Sequence, residues 1–131
     1  MSRENFDALI LVKDIMSKAI ISVNTETTVF QIAKMMEQSG IGAILVKKNS
    51  NLAGIITDRD FATKIASDRL SFDTPVEKVM SSPLITINHD ESISAAAKRM
   101  TSKKIRKLAV TDNGDVVGLI TSTDLVTQLT K

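Results

Sequence analysis

Residues 12–62 and 76–126 are one unit written twice, at a constant offset of 64 and with no gap. Val12 aligns with Val76, Met16 with Met80, Ile21 with Ile85, Asn24 with Asn88, Ala33 with Ala97 and Met36 with Met100. The register continues through Ile41/Ile105, Val46/Val110, Gly54/Gly118, Ile56/Ile120, Thr57/Thr121 and Asp60/Asp124. A unit of this length repeated only twice does not stack into a solenoid. The two copies are expected to pack face to face, with a cleft whose halves are related.

The chain has 131 residues, enough for one compact domain with a substantial core. A single copy of about 50 residues is marginal on its own, so the copies are expected to share one core. Net charge is +2 and 24% of residues are charged, which excludes a polybasic or acidic tail. With no cysteine there is no disulfide, zinc–thiolate site or thiol nucleophile. No apolar run reaches the ~18 residues of a membrane helix, and residues 1–7 lack a basic-then-apolar leader pattern. A cytoplasmic protein is the simplest expectation. With no Trp or Tyr and four Phe, single-strand nucleic-acid binding by stacking is disfavoured.

Each copy opens on a short segment ending in Met, Val12–Met16 and Val76–Met80. A β-rich stretch follows, Ala19–Val23 and Leu84–Ile87. Next comes an amphipathic helix with its stripe at Val29, Ile32, Ala33 and Met36, or Ile93, Ala96, Ala97 and Met100. Asn24 and Asn88, or the Thr and Asp after them, are expected N-caps. Strands over 43–47 and 52–57, and over 107–111 and 116–121, read as hairpins. A second helix follows each hairpin, with Phe61, Ala62, Ile65 and Ala66, or Leu125, Val126 and Leu129, as its apolar residues. The expectation is α/β (α+β): tandem β-α-β-β-α repeats packed with pseudo-two-fold symmetry. Residues 1–11 are expected to form an N-terminal arm or short helix (Phe6, Leu9, Ile10). Residues 12–67 are the first repeat, 68–75 the connector and 76–131 the second repeat.

The copies agree best at the hairpin ends, Gly54-Ile55-Ile56-Thr57-Asp58-Arg59-Asp60 and Gly118-Leu119-Ile120-Thr121-Ser122-Thr123-Asp124. Two readings are open. Thr-x-x-acid before an apolar helix is a capping box, with the Gly as a bulge or packing point. Against that, a capping box ordinarily carries the longer Glu or Gln. A strand-interior Gly costs roughly 0.5–1 kcal/mol against Ala, and close approach of something to that backbone would explain it. A helix start with free N–H groups, a hydroxyl and a carboxylate suits a nucleotide, the carboxylate accepting from ribose.

The doubled unit with Gly-x-x-Thr-x-x-Asp at each end resembles the cystathionine-β-synthase (CBS) domain pair, as do Val12-Lys13-Asp14-Ile15-Met16 and the run Ile105–Thr121. The resemblance covers residues 12–126. It implies a non-catalytic regulatory module binding AMP, ADP, ATP or S-adenosylmethionine in clefts between the repeats, AMP or ATP above all, with no other cofactor and no metal. It implies ribose on Asp60 and Asp124 and phosphate on Thr57 and Thr121. Adenine would sit among first-strand residues, Ile20 and Ile21 in one copy and Pro83, Leu84 and Ile85 in the other. It further implies a homodimer and a separate effector protein.

The copies differ in charge. Arg106 and Lys107 stand where the first copy has Gly42 and Ala43, and are expected to contact phosphate. Lys103 and Lys104 either extend that patch or close a helix end. Arg59 is a further phosphate candidate, replaced by Thr123 in the second copy. Met16 and Met80 are core filler or cleft lining. His89 reads as a solvated turn residue. Phe30 and Met35, which face Ser94 and Arg99 in the alignment, suggest a surface for another subunit. A ligand-free scaffold is the alternative function, and nucleic-acid binding through Lys103, Lys104, Arg106 and Lys107 a weaker one. No nucleophile–base pair or metal-ligand set can be assembled, which argues against an enzyme.

Overall fold

The computed structural model describes residues 10–131. The element order is α1 (Val12–Ile15), β1 (Ser22–Asn24), α2 (Val29–Ser39), β2 (Ala43–Lys48), β3 (Asn51–Thr57) and α3 (Asp58–Asp60), which runs into a π-helical turn, Phe61–Ala66. After a 3-10 turn at Val76–Lys78 come β4 (Thr86–Asn88), α4 (Ile93–Lys103), β5 (Lys107–Asp112), β6 (Asp115–Thr121) and α5 (Ser122–Leu129). The described residues form two three-stranded sheets, β1-β2-β3 and β4-β5-β6. In each, the first pair is parallel and the second is an antiparallel hairpin, so the expected α+β class holds.

The first strands are shorter and later than expected. β1 begins at Ser22 and β4 at Thr86, leaving Ile20, Ile21, Pro83, Leu84 and Ile85 in irregular chain before them. Parallel pairing spans only the three residues that face the centre of β2 or β5. The helix caps also move, to Thr28 and Ser92. The Thr28 hydroxyl accepts from Gln31 N–H at 3.2 Å and the Ser92 hydroxyl from Ala95 N–H at 3.1 Å. Asn24 and Asn88 instead close turns: each side-chain oxygen accepts from the N–H two residues on, at 3.1 and 3.0 Å.

The chain divides into two compact units. Unit I is Ile21–Leu84; unit II is Ile85–Lys131 with the segment leading to Ile20. The opening segments are therefore exchanged relative to the repeat. Ser17 forms a two-hydrogen-bond bridge with Leu119, at 2.8 and 2.9 Å, and Ser81 forms the matching bridge with Ile55, at 2.9 and 3.0 Å. Val12 is buried among Ile87, Ile93, Leu108, Val110 and Ile120 of unit II. Val76 and Val79 are buried among Val29, Ile32, Ile44, Val46 and Ile56 of unit I.

Among the described residues, each unit has its own cluster of buried apolar side chains, completed by the exchanged segment; the buried Ala43, Leu45, Ala109 and Leu119 belong to neither cluster. The helix stripes are narrower than expected, since Ala33 and Ala97 are exposed. Met35 packs on the core of unit I, whereas Phe30 is half exposed and lies 6.5 Å from the ring of the exposed Phe72. Val126 and Leu129 are also exposed. Of the expected N-terminal arm, residues 1–9 lie outside the described residues. Ile10 packs on the core of unit II.

Candidate functional site

Both hairpins end alike. Thr57 and Thr121 close β3 and β6 in extended backbone, each paired in register with the first residue of the central strand, Ala43 or Lys107. The next N–H turns back: Asp58 N–H donates to the Gly42 carbonyl at 3.0 Å, and Ser122 N–H to the Arg106 carbonyl at 2.8 Å. The Thr57 and Thr121 N–H groups then donate to Asp60 Oδ2 and Asp124 Oδ2, each at 2.8 Å. Asp124 N–H donates to Thr121 Oγ1 at 3.2 Å, and Thr57 Oγ1 donates to Asp60 Oδ2 at 3.3 Å.

The short Asp side chain therefore reaches the cap. The shorter side chain, weighed above against a capping box, does not prevent one: the Thr sits in extended backbone and points its N–H at the first helical turn.

The glycines also have an internal cause. A β-carbon on Gly118 would lie 2.6 Å from the Ser17 carbonyl oxygen and 2.9 Å from Met16 Sδ. One on Gly54 would meet Met80 Sδ at 2.5 Å and the Ser81 carbonyl oxygen at 3.1 Å. What approaches the backbone there is the exchanged opening segment, so these residues do not by themselves report a ligand. Met16 and Met80 accordingly lie over the glycines.

The surroundings of the two acids differ. Asp60 is buried, at 7% exposure, and its Oδ1 is 3.3 Å from Lys64 Nζ. Lys64 also donates to the Val79 carbonyl at 2.9 Å and Ser81 Oγ at 3.2 Å. Gln128 aligns with Lys64 and makes no such contact to Asp124 among the described residues. A β-carbon at Gly42, the counterpart of Arg106, would lie 2.9 Å from Asp58 Oδ2, so a side chain there requires the Asp58 carboxylate to shift. Arg106 is exposed and Lys107 half-buried.

Unit I thus holds Thr57, Arg59, Asp60, Ile21, Pro83 and Leu84; unit II holds Thr121, Asp124, Arg106, Lys107, Ile20 and Ile85. Pro83 is exposed, while Ile21 and Ile85 pack on their units' cores. Arg59 is exposed beside Asp58. Lys64 was not anticipated, although its place four residues after Asp60 is the spacing at which helical charges pair. His89 is not a free turn residue: its Nε2 lies 3.3 Å from Asp112 and 3.4 Å from Asp90. Among the described residues no cluster of His, Asp or Glu fits a metal ion, and no helix is long and apolar enough to cross a membrane.

Two sheets of β1-β2-β3 type, each ending in the same Thr–Asp cap, are matched by the CBS domain family over residues 12–67 and again over 76–131. The chain belongs to the CBS domain family. It is a CBS domain pair, a regulatory module. It is 34% identical over 114 residues to the CBS domain-containing protein YhcV of Bacillus subtilis, covering 87% of this chain and 81% of YhcV. It spans from 60% down to 19% of the length of further curated relatives. An uncharacterized conserved protein of Pyrococcus horikoshii superposes with a TM-score of 0.90 at 25% identity, covering 95% of this CBS pair and 96% of that chain. The CBS domain pair of protein MJ0100, solved in complex with 5′-methylthioadenosine and S-adenosyl-L-methionine, superposes with a TM-score of 0.81 at 30% identity, covering 92% and 95% of the two chains.

Proposed function

We propose that this CBS pair is a non-catalytic sensor of adenosine-containing ligands: AMP, ADP, ATP or S-adenosylmethionine. The observation that carries the reading is the likeness to the MJ0100 pair, which was solved with two adenosine-containing molecules. In this reading Asp60 and Asp124 are the candidate acceptors for ribose hydroxyls. Thr57 and Thr121, with Arg59, Arg106 and Lys107, face phosphate or another polar tail. Ile20, Ile21, Pro83, Leu84 and Ile85 surround adenine.

The ligand would act by population shift, favouring one arrangement of the pair that an effector protein reads in the cytoplasm. A homodimer fits the exposed Phe30, Phe72, Val126 and Leu129. The second reading, a ligand-free scaffold, is favoured by the Thr–Asp caps being satisfied within the chain.

Thermal unfolding with AMP, ADP, ATP, S-adenosylmethionine and 5′-methylthioadenosine separates the two. A ligand at 100 times its Kd adds about 2.7 kcal/mol, several degrees in Tm for a chain of this size. No shift with any of the five leaves the scaffold.

A further inference from the structure

We infer that Lys64 locks the first half-site, so that each chain takes one adenosine ligand, at the Asp124 half-site. The inference rests on the ligand reading above and deepens it.

A carboxylate that is to hold ribose must offer its oxygens as acceptors. Both oxygens of Asp60 are engaged. Oδ2 accepts from the Thr57 N–H at 2.8 Å and from Thr57 Oγ1 at 3.3 Å, and Oδ1 faces Lys64 Nζ at 3.3 Å. The same ammonium spans to the Val79 carbonyl and Ser81 Oγ, so it ties the acid to the opening segment that completes unit I. Freeing Asp60 would strand a buried carboxylate and break a charge-assisted hydrogen bond to a carbonyl.

In the second copy Asp124 Oδ2 is held by Thr121, but its Oδ1 has no hydrogen-bond partner among the described residues, and Gln128 supplies no charge. The charged neighbours differ as well: the first copy has Asp58, Arg59 and Gly42 where the second has Ser122, Thr123 and Arg106. Lys64 acts through Asp60 and the Val79–Ser81 segment, as a positioning residue.

The test is calorimetric titration of the full chain with AMP, ATP and S-adenosylmethionine in turn. The wild type is expected to take one ligand, and Asp124→Ala to lose it. Lys64→Gln, which copies the second repeat, is expected to take two, with the new site gaining at least about tenfold in affinity. Lys64→Arg, which keeps the charge, is expected to stay at one. Asp60→Ala added to Lys64→Gln is expected to return the count to one, a change that loss of structure alone does not produce. Two ligands in the wild type, or an unchanged or weakened count in Lys64→Gln, overturns the lock. No binding by either protein overturns the sensor reading itself, and the lock with it.

Discussion

At the end of β3, Asp60 is closed over by Lys64; at the end of β6, Asp124 makes no contact with Gln128, the residue aligned with Lys64, among the described residues. The two copies share strand pairing, bulge position and Thr–Asp cap. They part at a few charged positions around that common frame. Backbone geometry is what the duplication preserves, because each sheet needs the same turn to pass from hairpin to helix. Charge and neighbouring groups are free to diverge, and they make the two acids unequal.

The largest expected effect breaks the likeness at the glycines. Gly118→Ala pushes a methyl group into a carbonyl oxygen of the backbone, whereas Gly54→Ala first meets the flexible Met80 side chain. Overpacking costs typically about 1–3 kcal/mol. Gly118→Ala is expected near the top of that range and Gly54→Ala near the bottom, read as shifts in the urea midpoint. Equal costs would show that the exchanged segments yield equally.

Next is the end of the long helix. Gly40 closes α2 with φ +64°, and Lys104 closes α4 in the same left-handed region with φ +57°. A side chain there costs roughly 1–2 kcal/mol, so Lys104→Gly is expected to stabilise the protein by about 1 kcal/mol. A loss of stability would mean that the Lys104 side chain supplies something Gly40 lacks.

The smallest effect concerns Glu91 and Arg99, which align with Thr27 and Met35. Burial alone would raise the Glu91 pKa. Hydrogen bonds from the Asn88 N–H and Arg99, with the Arg99 charge, outweigh it and hold the pKa below the usual glutamate value. A carboxyl depressed in the folded state stabilises above its unfolded pKa and loses that contribution as pH falls through the folded one. Both side chains are about one-third exposed, so Arg99→Met is expected to remove no more than about 0.5 kcal/mol at neutral pH, and less in acid. A cost that grows in acid would contradict that sign.

The doubled unit, the hairpins and the Thr–Asp ends were legible because period-two strands and a gapless repeat leave strong marks in residue order. The exchange of opening segments was not. Val12 and Val76 fit either copy's core equally well, and only the closed chain chooses between them. Gly54 and Gly118 showed that something approaches the backbone, but not that Met16–Ser17 and Met80–Ser81 do so. The caps at Thr28 and Ser92 were missed because Asn24 and Asn88 carry the same local signal and spend it on turns. Lys64 stood at helical pairing distance from Asp60, yet its reach to Val79 and Ser81 depends on the exchanged segment.

The most direct test of unequal half-sites is an amide-resolved NMR titration of the wild type with S-adenosylmethionine and, separately, AMP. The Thr121, Ser122 and Asp124 resonances are expected to move in proportion to ligand up to one equivalent, with Thr57, Asp58 and Asp60 unmoved over that range. Movement of Thr57 and Asp60 first, or of both sets together, would contradict the account.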